Sequence, residues 1–492
     1  MTPEVTVLAS IGLPLGATAL IAAFHRQPNL RESVTLATAL GLFLLNLSLL
    51  GPVLEGQRPG VLVVETLPGL SIAFEVEPLG MLFALVASGL WMVNSLYSIG
   101  YMRANREHHQ TRYYVCFAVA LASTMGVAFA GNLLTLFVFY EALTLSTYPL
   151  VTHRGSPAAV RAGRTYLGVL LGTSIGLLLF AILWTWGLAG TLNFAPGGIL
   201  ADTASDPVLG VLLFVYMFGI GKAALMPVHR WLPAAMIAPT PVSALLHAVA
   251  VVKAGVFTAV KVIVYVFGAD LLSNLQGSSW LIYVAGASVI LASLVALRAD
   301  NLKRRLAYST VSQLAFIVMA AAVLVPLSLI GAVLHIAAHA LGKITLFFAA
   351  GSIYTASHKT EVSQLAGIGR RMPWTMAAFT VGALSMVGIP LTAGFVSKWY
   401  MLLGAIEAQQ LVAIAVIILS TLLNAAYFLP IVYTAFFDAP QSAGEQGVQT
   451  GHGEAPLPVV AALTLTALGT VALFFVPELP LALAQQMVGA AP

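Results

Sequence analysis

The sequence predicts an all-α polytopic membrane protein with about fourteen crossings, two of them discontinuous. Three observations carry this reading. Only 8% of the residues are charged while 59% are hydrophobic, whereas a soluble domain carries roughly 25% charged residues. Apolar stretches of about 20 residues, the length of one crossing, recur along the whole chain. The basic residues gather in alternate loops, the asymmetry that membrane insertion imposes.

Laid along the chain, that ruler sets crossings at residues 3–24, 31–54, 77–101, 112–130, 132–151, 162–188, 207–231, 240–267, 279–299, 304–325, 328–355, 374–402, 409–436 and 457–484. The first lacks a basic leader and an obvious cleavage site, so it is expected to stay as a span rather than act as a signal peptide. Residues 61–76 alternate weakly around Pro68-Gly69 and predict a short hairpin. The stretch 438–456, with Gly, Gln, Glu and His, predicts a loop. Four regions follow: a three-helix segment with the hairpin (1–111), two five-helix units (112–267 and 279–436) and a last helix (457–484). The single cysteine, Cys116, forms no internal disulfide and is read as a packing residue.

Loops after odd-numbered crossings hold Arg26, Arg103, Arg154, Arg230, Lys303 and Arg371 among others, whereas the even-side loops hold only Arg58 amid several carboxylates. The positive-inside rule therefore places the odd-side loops in the cytoplasm and both termini outside. The expected location is a bacterial cytoplasmic (inner) membrane.

Two crossings are interrupted. The seventh contains Lys222-Ala-Ala-Leu-Met-Pro227 and then Pro233; the twelfth contains Gly388-Ile-Pro390. Proline and glycine free backbone carbonyls that lipid cannot satisfy, and broken helices at corresponding places in two halves point to an inverted-repeat transporter. Lysine precedes the first break and Lys398 follows the second, a mirror order that fits halves of opposite topology. A simple kink in a packed helix is the plainer alternative.

Five of the seven lysines fall inside crossings: Lys222, Lys253, Lys261, Lys343 and Lys398, with one carboxylate, Glu141. A charge at mid-bilayer costs at least ~2.5–3.5 kcal/mol, so each needs a partner, water or a function. Glu141 and Lys222 are expected to pair; a purely structural ion pair is the competing reading. His247 and Lys253 lie six residues apart, at similar depth, and could exchange protons. Lys261, eight residues further, could instead snorkel to a surface. His335, His339 and Lys343 follow at i, i+4 and i+8, one face of a helix over about 12 Å. Their spacing invites a metal reading, but no third ligand is near and HExxH is absent, so a hydrated stripe of bases fits better. Lys398 beside Trp399 and Tyr400 could also mark an interface.

The sequence has no P-loop, no GxGxxG and no multi-cysteine set, so no nucleotide, redox cofactor or iron–sulfur cluster of its own is expected. Any enzymatic role would come from a larger redox-driven assembly.

These residues carry a resemblance. The segments Asn132–Glu141, Gly221–Pro233, Ala238–His247, Lys303–Gln313 and Gly388–Lys398 resemble the large antiporter-like subunits shared by Mrp-type Na⁺/H⁺ antiporters, respiratory complex I and membrane-bound hydrogenases, and look most like the Mrp D subunit. The resemblance implies a fourteen-helix core with two inverted five-helix repeats in a multisubunit complex that moves protons or monovalent cations such as sodium. It implies that Glu141 modulates Lys222, that Lys253 with His247 is the central relay, that His335, His339 and Lys343 link the halves, and that Lys398 is the last ionisable residue. Lysine at that last position departs from relatives that carry glutamate there. The largest members carry further spans and a lateral helix, which are not expected here. A non-conducting scaffold subunit and a transporter of an organic solute are the rival readings.

Overall fold

A computed structural model describes residues 2–67, 69–275, 277–439 and 453–489; of the predicted loop, residues 440–452 lie outside the described residues. Ten helices among the described residues are long and apolar enough to cross a membrane. In chain order the elements are α1 (Pro3–Ala23), α2 (Pro28–Leu54), β1 (Gly60–Leu67), β2 (Leu70–Glu75), α3 (Pro78–Ala104), α4 (Gln110–Ala128), α5 (Leu133–Val151) and α6 (Pro157–Ala189). They continue with α7 (Asp206–Gly219), α8 (Val251–Lys261), α9 (Trp280–Arg298), α10 (Leu302–Ala322), α11 (Pro326–Ser357) and α12 (Pro373–Val387). Last come α13 (Ala393–Glu407), α14 (Leu411–Phe437), α15 (Leu457–Phe475) and α16 (Glu478–Met487).

Local chemistry explains where these helices begin. Proline stands in the first turn of α1, α2, α3, α6, α7, α11 and α12, where its missing N–H costs nothing and its fixed φ suits a helix. Asn132, Ser156 and Asn301 cap α5, α6 and α10 by accepting from backbone N–H groups at 2.8, 3.2 and 3.0 Å.

Both anticipated breaks are present. The seventh crossing stops at Gly219 and passes through a single 3₁₀ turn, Gly221–Ala223. The twelfth is α12 and α13, separated at Gly388, whose φ of +90° suits glycine. Two further interruptions were not anticipated. The eighth crossing leaves helical geometry at Ala250 and has π-helical turns at Leu245–Val249 and Val262–Phe267. Residues 457–484 are not one helix: Val476-Pro477 separates α15 from α16, since proline lacks the N–H that continuation requires.

The hairpin forms as expected, with Gly60 opposite Glu75. It is pinned over the α4–α5 joint by Glu75 N–H to Phe129 O (2.7 Å) and Gly131 N–H to Ala73 O (2.9 Å). At the opposite end the basic loops meet. Arg31 and Arg103 both engage buried Glu32, and Arg154 pairs with Glu107 at 2.6 Å. Leucines on α1, α2, α14 and α15 stay exposed, including Leu20, Leu44, Leu422 and Leu468; in a bilayer that surface is solvated by lipid. The 32-residue α11 is the hub, enclosed by α3, α10, α12, α13 and α15. Its polar residues therefore face protein and not lipid.

Candidate functional site

Small residues let the backbone close around the first break. A Cβ on Gly255 of α8 would collide with the Lys222 carbonyl, and one on Gly221 with the Thr173 hydroxyl. Trp231 Nε1–H donates to the Gly221 carbonyl at 3.0 Å, which also accepts from Ala224 N–H at 3.0 Å. Gly255→Ala should therefore destabilise the protein by about 1–3 kcal/mol, the usual cost of overpacking. Gly168→Ala, at a position with open space around it, should be neutral or mildly stabilising. Thermal unfolding of the two variants in detergent checks the difference.

Lys222 is wholly buried. Its ammonium donates to Tyr140 O and Thr144 Oγ1, both at 2.6 Å, and lies 3.2 Å from the centre of the Tyr140 ring. Its backbone N–H donates to the Tyr140 hydroxyl at 3.1 Å. Glu141 is not in this cluster. No Glu141–Lys222 ion pair forms among the described residues, and both Glu141 carboxylate oxygens are buried without a hydrogen-bond partner. Helix geometry gives the reason. Tyr140 and Thr144 share the face turned to Lys222, so Glu141 is rotated about 100° from it, toward the side where Val138 and Leu145 are exposed.

At the second break the lysine uses the freed carbonyls. Lys398 Nζ donates to Met386 O at 2.7 Å and to Val387 O at 3.0 Å, the end of α12. A cation there satisfies orphan acceptors and complements the helix dipole.

Between the breaks runs a buried polar axis. Lys253 Nζ on α8 lies 2.5 Å from His339 Nδ1 on α11. The His339 and His335 rings are 6.1 Å apart, centre to centre. His335 Nδ1 then meets Ser397 Oγ at 2.8 Å, and its Nε2 meets Gln313 Oε1 at 2.9 Å. Ser397 is the residue before Lys398. With Gln313 Oε1 as acceptor, the neutral His335 proton sits on Nε2, and Nδ1 competes with the Gly394 carbonyl, 3.2 Å from the Ser397 oxygen, for the one proton of the Ser397 hydroxyl. Lys343 shares the face but points elsewhere, donating to Ser309 Oγ at 2.8 Å. All five residues from Lys253 to Lys398 are at most 6% exposed. His247 lies on the π-helical turn Leu245–Val249; its side chain lies outside the described residues.

Lys261 does not reach a surface. It is buried, pairs with Glu77 at 2.7 Å and donates to Ala130 O at 2.8 Å. Glu77, which the sequence leaves among the even-side acidic residues, is tucked under the hairpin at the start of α3. Nearby, burial raises the Glu75 carboxyl above its usual range, an effect that Arg58 opposes. The sequence reading also missed Tyr140, Thr144, Ser309, Gln313 and Ser397 as partners. The available signal was polar residues at helical spacing within apolar segments: 140/144 and 309/313.

The fold and the site define a class: a polytopic membrane protein with broken crossings and a buried row of lysines and histidines that runs from the eighth crossing to the twelfth. The chain belongs to the NADH:quinone oxidoreductase/Mrp antiporter transmembrane family, whose model matches residues 130–424. It is 34% identical over 420 residues, 82% of each chain, to "NADH-quinone oxidoreductase subunit N" of Desulforudis audaxviator. It is 25% identical to the D component of a Na(+)/H(+) antiporter from Alkalihalophilus pseudofirmus, over 94% of this chain and 92% of that one. The fold matches a chain in the structure of the Mrp complex from Dietzia sp. DQ12-45-1b with a TM-score of 0.88 at 23% identity, covering 99% and 97% of the two chains. Other relatives are longer, and the chain spans 37%, 61% and 46% of three of them.

Proposed function

We propose that this chain is a proton- or cation-translocating subunit of a multisubunit membrane complex, with a Mrp-type monovalent cation/proton antiporter as the first reading. The observation that carries it is the buried row Lys253–His339–His335–Ser397–Lys398: hydrogen-bond contacts at Lys253–His339 and His335–Ser397, the two imidazoles 6.1 Å apart between ring centres, and Lys398 next to Ser397 in the chain. A structural ion pair needs two residues; this axis joins three crossings and both halves of the chain. Each member can hold or pass a proton, and the bilayer cost of its charges argues for a function. Fourteen crossings, arranged as two inverted five-helix repeats (112–267 and 279–436) after an N-terminal segment (1–111) and before 457–484, supply the scaffold. The four crossings beyond the ten long apolar helices are the seventh, eighth and twelfth, all interrupted, and the more polar α4.

The basic end faces the cytoplasm and both termini face outward, in a bacterial cytoplasmic membrane. A cavity of about 220 Å³ at that end, lined by Tyr101, Arg154, Thr240, Lys303 and Lys359 among others, is the inlet. It opens beside Thr240, at the start of the segment that leads to Lys253. No redox cofactor is assigned to this chain. A proton-pumping subunit of a complex I or hydrogenase assembly is the second reading, favoured by the 34% identity to a subunit N.

Orientation has its own test. In a Cys116→Ser background, Ala158→Cys should be labelled by an impermeant thiol reagent only from the cytoplasm, and Ala201→Cys only from outside. The opposite pattern would overturn the orientation. For the function, the purified complex in proteoliposomes should move protons against a sodium or potassium gradient, or on quinone reduction or hydrogen turnover for the second reading. A complex that assembles and couples to none of these would leave a scaffold role.

A further inference from the structure

Lys343 has an unusual environment. No carboxylate lies within ion-pair distance of it among the described residues. The charged or titratable groups around it are Lys253 from α8, His335 and His339 from its own helix, Lys398 from α13, Arg305 from α10 and Tyr427 from α14. Of the other elements packed on α11, α3 brings the Tyr97 hydroxyl to Phe348 O at 3.0 Å and α16 begins at Glu478, whereas α12 and α15 carry no titratable side chain. A cation in such company needs a compensating dipole.

The structure supplies a chain of them. Lys343 Nζ meets Ser309 Oγ at 2.8 Å, and the Tyr427 hydroxyl lies 3.0 Å from the same oxygen. Tyr427 also makes a close hydrogen bond to Asn424 Oδ1. Every member is wholly buried. Asn424 Nδ2 has no partner, and neither has Ser420 Oγ one turn away.

Counting protons shows what this chain can do. Tyrosine has one O–H and cannot donate to both Ser309 and Asn424. A charged Lys343 can only donate, so Ser309 accepts from it; a rotation of the serine hydroxyl, reversing the Tyr427-to-Ser309 bond seen here, then lets Ser309 donate to Tyr427 and Tyr427 donate to Asn424 Oδ1. A neutral Lys343 offers a lone pair. The whole chain can then reverse: Asn424 turns its amide, Nδ2 donates to Tyr427, Tyr427 to Ser309, and Ser309 to the amine. Asparagine terminates either polarity because it carries an acceptor and a donor on one rotor. The unpartnered Nδ2 is the donor that the second state requires.

We propose that Ser309, Tyr427 and Asn424 form a reversible dipole chain that holds the Lys343 ammonium in place of a carboxylate and turns over when its proton leaves. No proton travels along the chain; each hydroxyl rotates in place, and the lysine proton departs to the axis. Tyr427 and Asn424 are thus positioning residues. This inference rests on the proton-translocation reading above.

The test uses the intact complex in proteoliposomes and the pH profile of proton flux per assembled complex, with Lys343→Ala as reference. Tyr427→Phe and Asn424→Leu should move the high-pH limb to lower pH by about one unit, the usual worth of a hydrogen bond to a charged group. Asn424→Asp adds an acceptor with full charge and should move the limb the other way. If Lys343→Ala is inactive while these variants keep the parental profile, the dipole chain is wrong and the transport reading stands. If Lys343→Ala transports like the parent, Lys343 and its dipole chain take no part in transport and this inference fails, while the Lys253–His339 axis, which does not run through Lys343, is untouched. A parental complex that moves no protons would sink the transport reading itself.

Discussion

Replacing His339 with leucine should cut proton flux per assembled complex by about 100-fold or more. The imidazole lies 2.5 Å from Lys253 and stacks toward His335, so it is the only described link between α8 and the α11–α13 half of the axis. Without it, a proton leaving Lys253 has no acceptor and must cross a gap in the hydrocarbon interior. A charge there costs at least ~2.5–3.5 kcal/mol, and each 1.36 kcal/mol is tenfold in rate. His339→Gln should retain assembly and the hydrogen bond to Lys253, yet relay no proton itself. Its residual flux, above that of leucine, would report a water held in the gap. If the histidines merely bridge helices, both variants would lower the yield of complex and leave flux per complex unchanged.

Lys222→Ala should also abolish transport, with a comparable loss of about 100-fold on the same reasoning, while assembly survives. Removing the ammonium releases two neutral hydrogen-bond partners, Tyr140 O and Thr144 Oγ1, and leaves Glu141 as the nearby charge it interacts with. The accompanying prediction concerns Glu141. Its carboxylate makes no ion pair with Lys222 and has no hydrogen-bond partner among the described residues. It therefore acts on Lys222 through space. Glu141→Gln should impair flux more than Glu141→Asp, because charge rather than shape carries that influence. Equal flux from the Gln variant and the parent would remove Glu141 from the account.

Much of this was legible in the sequence, for identifiable reasons. The two breaks were, because Pro227 and Gly388 act locally on the backbone. The stripe His335–His339–Lys343 was, because i, i+4, i+8 fixes a face whatever the neighbours. The partners across helices were not. Spacing shows which side chains share a face of one helix, never which face of another helix meets them. Thus Lys222 takes Tyr140 and Thr144, not the adjacent Glu141. Lys261 finds Glu77 from a distant helix start, where snorkelling was the simpler reading. Ser309, Tyr427 and Asn424 come from α10 and α14 and converge on Lys343 only through tertiary packing. The break at Val476-Pro477 was signalled by its proline but hidden inside an otherwise apolar run.

The measurement closest to the central claim is proton flux through the reconstituted complex carrying Lys253→Met, normalised to assembled complex. Methionine keeps the volume of the side chain and removes its charge and its hydrogen bond to His339. The axis predicts a fall of about 100-fold or more with the amount of complex unchanged. Parental flux from an intact Lys253→Met complex would mean that protons take another path and that the buried lysine–histidine axis is a packing seam.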